Sequence, residues 1–100
     1  MAIYTATFRI HEDATYADRY NSVVEAIKKV CHGGQYWDEP TSFFLFENPS
    51  TAKKITEYID ANSAFAPSKD LLLVINLSLN DYSVIGKVND NAIYALMKKR

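Results

Sequence analysis

The stretch Lys69-Asp70-Leu71-Leu72-Leu73-Val74-Ile75-Asn76-Leu77-Ser78-Leu79 limits the possible folds most. It is the longest apolar run of the chain, with Pro67-Ser68 before it and Asn80-Asp81 after it. A short run carrying β-branched residues between turn formers reads as a strand rather than a helix. Leu71, Leu73, Ile75, Leu77 and Leu79 form a wholly apolar set, which strand alternation assigns to the core. Leu72, Val74, Asn76 and Ser78 turn polar halfway along and are expected to face water or a partner.

Residues 3–10 alternate as well, with Tyr4, Ala6, Phe8 and Ile10 on one face and Thr5, Thr7 and Arg9 on the other. The polar stretch 11–15 breaks this pattern and offers Asp13 or Thr15 as a helix N-cap. From Tyr16 the period becomes helical. Tyr16, Tyr20, Val23, Val24, Ile27, Val30 and Cys31 share one side, and Arg19, Glu25, Lys28 and Lys29 take the other. Gly33-Gly34 after His32 ends the helix. Gln35-Tyr36-Trp37 suits a brief edge strand before the turn at Asp38-Glu39-Pro40. Residues 41–47 suit a firmer strand with large apolar residues on both faces. Asn48-Pro49-Ser50 is a turn followed by an N-cap and a second helix, with Ala52, Ile55, Tyr58 and Ile59 inward and an end near Asn62. Phe65 is expected to plug that helix end into the core. After the central strand, residues 82–88 suit a short last strand and residues 92–97 a short final helix.

The order strand, helix, strand, strand, helix, strand predicts an α+β fold. Its simplest form is a ferredoxin-like β-α-β-β-α-β sandwich with a short C-terminal strand and helix. All 100 residues form one domain. Both helices are then on one sheet face. The other face is expected to show Thr5, Thr7, Arg9, an aromatic set from the strand at 43–46, and Leu72, Val74 and Asn76. Such a face is too apolar to stay bare, and a homodimer is the simplest cover.

With 48% hydrophobic residues the chain can build its core without metals or disulfides. Its single cysteine, Cys31, fits a reducing cytoplasm. The opening residues lack a basic leader, and no apolar run approaches the roughly 20 residues of a membrane span. A formal net charge of -1 gives no general attraction to phosphate backbones, so nucleic-acid binding is possible but not favoured. The basic pairs Lys28-Lys29 and Lys53-Lys54 and the tail Lys98-Lys99-Arg100 read as solvated helix surface.

Three stretches give the chain a resemblance. The first is the opening strand with its polar loop and Tyr16-Ala17-Asp18-Arg19-Tyr20 leading into Val24-Glu25-Ala26-Ile27-Lys28. The second is Thr41-Ser42-Phe43-Phe44-Leu45-Phe46 before a capped helix. The third runs from Ser68-Lys69-Asp70 into the central strand and closes with Leu77-Ser78. In pattern and order these resemble the small SinR-type and VapD-like proteins, which are similar to the Cas-two subunit of CRISPR adaptation complexes. The resemblance implies a ferredoxin-like dimer packed through its sheets. In nuclease-active relatives it also implies an aspartate at the end of the first strand that binds a divalent metal at the dimer axis. The matching position here is Phe8 or Arg9, and the nearest acids are Glu12 and Asp13. An arginine at that place repels magnesium. The expectation is therefore an interaction module without nuclease activity or cofactor, acting on a protein partner or weakly on nucleic acid. The alternative is a magnesium-dependent endonuclease using the loop after the first strand.

His11, Glu12 and Asp13 are the candidate catalytic residues under that alternative, with Glu12 and Asp13 as metal ligands. Adjacent residues rarely converge on one ion, so a capping loop with solvated charges is favoured. Cys31-His32 invites a thiolate–imidazole pair, but neighbours at a helix end seldom converge, and a buried structural cysteine is favoured. Gly33-Gly34 follows a helix instead of preceding one and presents no helix N-terminus to an anion. The aromatic residues of the strand at 43–46 lack the interleaved basic residues of a base-stacking platform. Tyr36, Trp37, Asp38 and Glu39 combine aromatic and charged side chains and form the candidate interaction surface.

Overall fold

The computed structural model describes every residue from Met1 to Arg100. The chain runs β1 (Ala2–Arg9), α1 (Tyr16–Val30), a 3-10 turn (His32–Gly34), β2 (Tyr36–Trp37), β3 (Phe43–Asn48), α2 (Ala52–Ala61), β4 (Leu71–Asn76), β5 (Asp81–Gly86) and α3 (Ala92–Met97). The strands form one antiparallel sheet in the order β2-β3-β1-β4-β5. The fold is α+β, with α1 and α2 packed on the same face of the sheet.

Strand alternation builds that face. Tyr4, Ala6 and Phe8 lie opposite Phe46 and Phe44 on one side and Asn76, Val74 and Leu72 on the other. All of these are buried, and they meet Val23, Ala26 and Ile27 of α1 and Ile55 and Ile59 of α2. Phe65 fills the gap beyond α2, and Cys31 is buried at the end of α1, both as expected. Thr51 caps α2 by accepting from the Lys54 amide at 3.2 Å. Removing side chains of this size from water contributes about 1.5–3 kcal/mol each.

The central strand is turned over relative to the expectation. Leu72, Val74 and Asn76 point into the core, whereas Leu71, Leu73 and Ile75 lie on the opposite face. Leu72, Val74 and Asn76 therefore do not share a face with Thr5, Thr7 and Arg9. The cause is Asn76. Its Nδ2 donates to Tyr4 Oη at 3.3 Å, and its Oδ1 accepts from the Ser78 and Leu79 amides. A polar residue with every hydrogen-bonding group occupied can end a strand inside the core. The strand stops there, which leaves Leu77 and Leu79 exposed in the turn instead of buried.

Smaller corrections have local causes. Arg19, expected outward, is buried by an ion pair. Tyr58, expected inward, is exposed, and Thr56 takes the inner position, where its hydroxyl meets Ser83 at 2.7 Å. β3 starts at Phe43 rather than Thr41, because Ser42 has a left-handed φ of 54° and ends the turn. β5 starts at Asp81 and stops at Gly86, two residues before the expected end.

The second sheet face is covered unevenly. Val88 and Ile93 of the C-terminal segment lie over Leu71, Leu73 and Val84, around a cleft of about 210 Å³. The Arg100 guanidinium sits 5.1 Å from the centre of the Tyr82 ring. The C-terminal segment thus covers the β4–β5 half of this face, and the β1–β3–β2 half is left open.

Candidate functional site

The loop after β1 holds the first candidate residues, and the structure assigns its polar groups to an internal ion-pair knot. Asp70 directly precedes β4 and is fully buried. Its Oδ2 receives the Arg19 Nη1 and the Ala66 amide, and its Oδ1 receives the His11 amide at 2.9 Å. Arg19 Nη2 also donates to the His11 carbonyl at 2.7 Å and lies 3.3 Å from Asp13. Lys69 Nζ meets Asp13 at 2.5 Å. Burial alone pushes the Asp70 carboxyl up, but the Arg19 guanidinium and the two amides outweigh it and hold it below the ordinary carboxylate range. The Lys69 ammonium, helped by Thr15 and Arg19, lowers Asp13 strongly. Asp70 holds Arg19 above its ordinary value.

This knot ties the β1–α1 loop, the turn before β4 and the end of β5 together. The Lys87 amide donates to the Asp70 carbonyl at 2.8 Å. Gly86 makes this approach possible: its φ is +104°, and a Cβ there would lie 2.0 Å from the Asp70 oxygen.

His11 and Glu12 are exposed, and their side chains join none of these bonds. Asp13 faces two cations instead of an open coordination sphere. No three His, Cys, Asp or Glu side chains form a metal-binding group. At the end of β1, Phe8 is core and Arg9 is exposed on the open face. These residues do not fit a magnesium ion, because neither side chain offers an oxygen and one is a cation. Cys31 Sγ donates to the Ile27 carbonyl at 3.2 Å. Burial pushes its pKa up to about 11, far from a reactive thiolate.

The second candidate, Tyr36 to Glu39, is divided between two surfaces. Tyr36 turns toward the helices, edge-on to Phe44 at 5.4 Å, with Lys28 Nζ 5.8 Å from its ring centre. Trp37 turns to the open face, edge-on to Phe43 at 5.9 Å. Asp38 and Glu39 are exposed beside a groove between the β2–β3 turn and α1, which Tyr20, Val24 and Ser42 also line.

Trp37 belongs to a cross-strand row that residue spacing alone does not assemble. It lies opposite Leu45, which lies opposite Thr5, then Ile75 and Tyr82. The next row runs Phe43, Thr7, Leu73 and Val84. Trp37 is 45% exposed and Ile3 38%, and with Leu45 and Glu47 they line a groove of about 430 Å³ at the β2 edge, to which the helix side and the 3-10 turn add Tyr36, Phe46, His32 and Gln35. Chemically this is an apolar strip with one acid, Glu47, at one end of the strands and one base, Arg9, at the other. No protein-family model, curated protein or solved structure matches the chain.

Proposed function

We propose that the chain is a ferredoxin-like interaction module of the Cas-two-like kind, which docks a second copy on its open sheet face and, as that dimer, binds a protein partner. Through β4, the element order and the strand order β2-β3-β1-β4 agree with a β-α-β-β-α-β plait, to which β5 and α3 are additions. The observation that carries the reading is the apolar strip of Ile3 and Trp37, both exposed, with the partly buried Phe43 and Leu45 beside them. A contiguous apolar patch that includes an exposed tryptophan on the edge strand has the composition of an interface.

Charge placement favours a second copy as the first occupant. Arg9 and Glu47 stand at opposite ends of the open face. A two-fold axis running across the strands sets Arg9 of each copy against Glu47 of the other. The loop that an endonuclease would use has its one engaged carboxylate, Asp13, tied to Lys69 and Arg19, so the interaction reading is the better supported.

Sedimentation equilibrium of wild type and Leu45→Glu tests this. The reading expects the substitution to halve the assembly while the circular dichroism and melting curve persist. An unchanged mass contradicts it. Incubation with labelled RNA and duplex DNA in magnesium runs alongside, and cleavage lost on chelation would move the assignment to the endonuclease.

A further inference from the structure

The sheet has two edges, and they are built differently. β2 is two residues long and runs into Asp38-Glu39-Pro40, the charges and proline that protect an edge from pairing. β5 is six residues long, with no proline and no bulge, and carries Tyr82, Val84 and Ile85. Its outer side has no neighbouring strand.

The backbone groups on that side can be identified. The Lys87 amide donates inward to the Asp70 carbonyl, so the alternating residues Ile85, Ser83 and Asp81 also face β4. The amides and carbonyls of Tyr82, Val84 and Gly86 therefore point outward. No turn, loop or side-chain bond reaches the Tyr82 and Val84 groups.

We propose that β5 pairs edge to edge with β5 of a second copy, antiparallel about a two-fold axis at Val84. This contact is separate from the face contact above. Keeping the helices of both copies on one side of the joined sheet allows only registers centred on a residue. Centring on Val84 sets Asp81 of each copy opposite Lys87 of the other, at both ends of the ladder. Asp81 Oδ2 accepts from the Ala52 amide at 2.9 Å, which leaves Oδ1 for that lysine. Lys87 is exposed and has no ion pair within the chain. The same register sets Tyr82 of each copy opposite Gly86 of the other. Centring on Ser83 instead sets Asp81 against Ile85 and wastes both charges. Val84 exchanges a pair of backbone bonds with its counterpart across the axis.

Val84→Pro is the direct test, because it removes an outward donor and leaves the β4–β5 ladder intact. With both contacts formed, wild type sediments as an assembly of more than two chains, which closes at four where the two axes cross at right angles. Val84→Pro and Leu45→Glu each reduce this to two, and the double variant to one. If Val84→Pro has the wild-type mass, the edge contact is wrong. If Leu45→Glu alone leaves the mass unchanged, the face contact falls and the edge contact stands. Val84→Cys gives a second readout that does not depend on tolerating proline. Under mild oxidation it links two chains, since paired Cα atoms about 5.5 Å apart suit a disulfide. Tyr82→Cys, displaced from its counterpart by about 13 Å along the strand, stays unlinked. Linking of both, or of neither, overturns the register.

Discussion

The two faces of the sheet are made by the same strands and end in different states. On the inner face, Tyr4, Ala6, Phe44, Phe46, Leu72 and Val74 are sealed by α1 and α2. On the outer face, Leu71, Leu73 and Val84 are shielded only by the C-terminal segment, and Ile3 and Trp37 are left exposed. The difference lies in what covers each face, since both are rich in apolar residues. The inner face is closed within the chain, and the β1–β3–β2 half of the outer one is not.

The sharpest way to break this contrast is to attack the inner side at its one buried charge. Asp70→Ala leaves Arg19 buried without its main partner, and loss of one member of such a pair costs about 3–5 kcal/mol. Urea denaturation is expected to show that loss, and a stability within error of wild type would mean that the knot is not structural. The next comparison pairs equal changes on opposite faces. Leu72→Ala should cost about 2–5 kcal/mol, the range for a large-to-small change in a closed core. Leu45→Ala, at a partly buried site, should cost less than Leu72→Ala at concentrations where the chain is monomeric. Equal costs would erase the distinction between the faces.

The smallest effect is that of Asp13, read in the response to acid. Asp70 and Asp13 have folded pKa values held below their ordinary ones. Each therefore contributes stability that is fully present above about pH 4, the unfolded carboxylate range. That contribution is lost as the pH falls from there toward the lower folded values. Melting temperature should decline below about pH 4–5, and Asp13→Asn should make the decline shallower. A variant as acid-sensitive as wild type would remove Asp13 from the account.

The strands and helices themselves were legible in the chain. The alternation at residues 3–10 assigns Tyr4, Ala6 and Phe8 inward, and the helical spacing of Val23 and Ile27 places the α1 core stripe correctly. The orientation of β4 was not legible, because all of Leu71 to Ile75 is apolar and only Asn76 distinguishes the two faces. Its polarity pointed outward, and the bond to Tyr4 that draws it inward joins residues far apart in the chain. Arg19 carried a usable signal: it falls between Tyr16 and Val23 in the buried stripe, so its charge called for a buried acid. Asp70, the only acid within the central stretch, was that partner. The open face was half legible. Thr5, Thr7 and Arg9 were read there, but joining Trp37 to Leu45 required the β2–β3 register.

Trp37 is the only tryptophan, and it lies in the strip assigned to a second copy. Its fluorescence therefore reports on the face contact directly, and the decisive measurement is its emission maximum and acrylamide quenching across a dilution series. Docking on the open face predicts a blue-shifted, protected tryptophan at high concentration that shifts red and becomes quenchable on dilution, with Leu45→Glu red and quenchable throughout. An emission and quenching constant that stay the same from the highest to the lowest concentration, and match Leu45→Glu, would contradict docking on the open face.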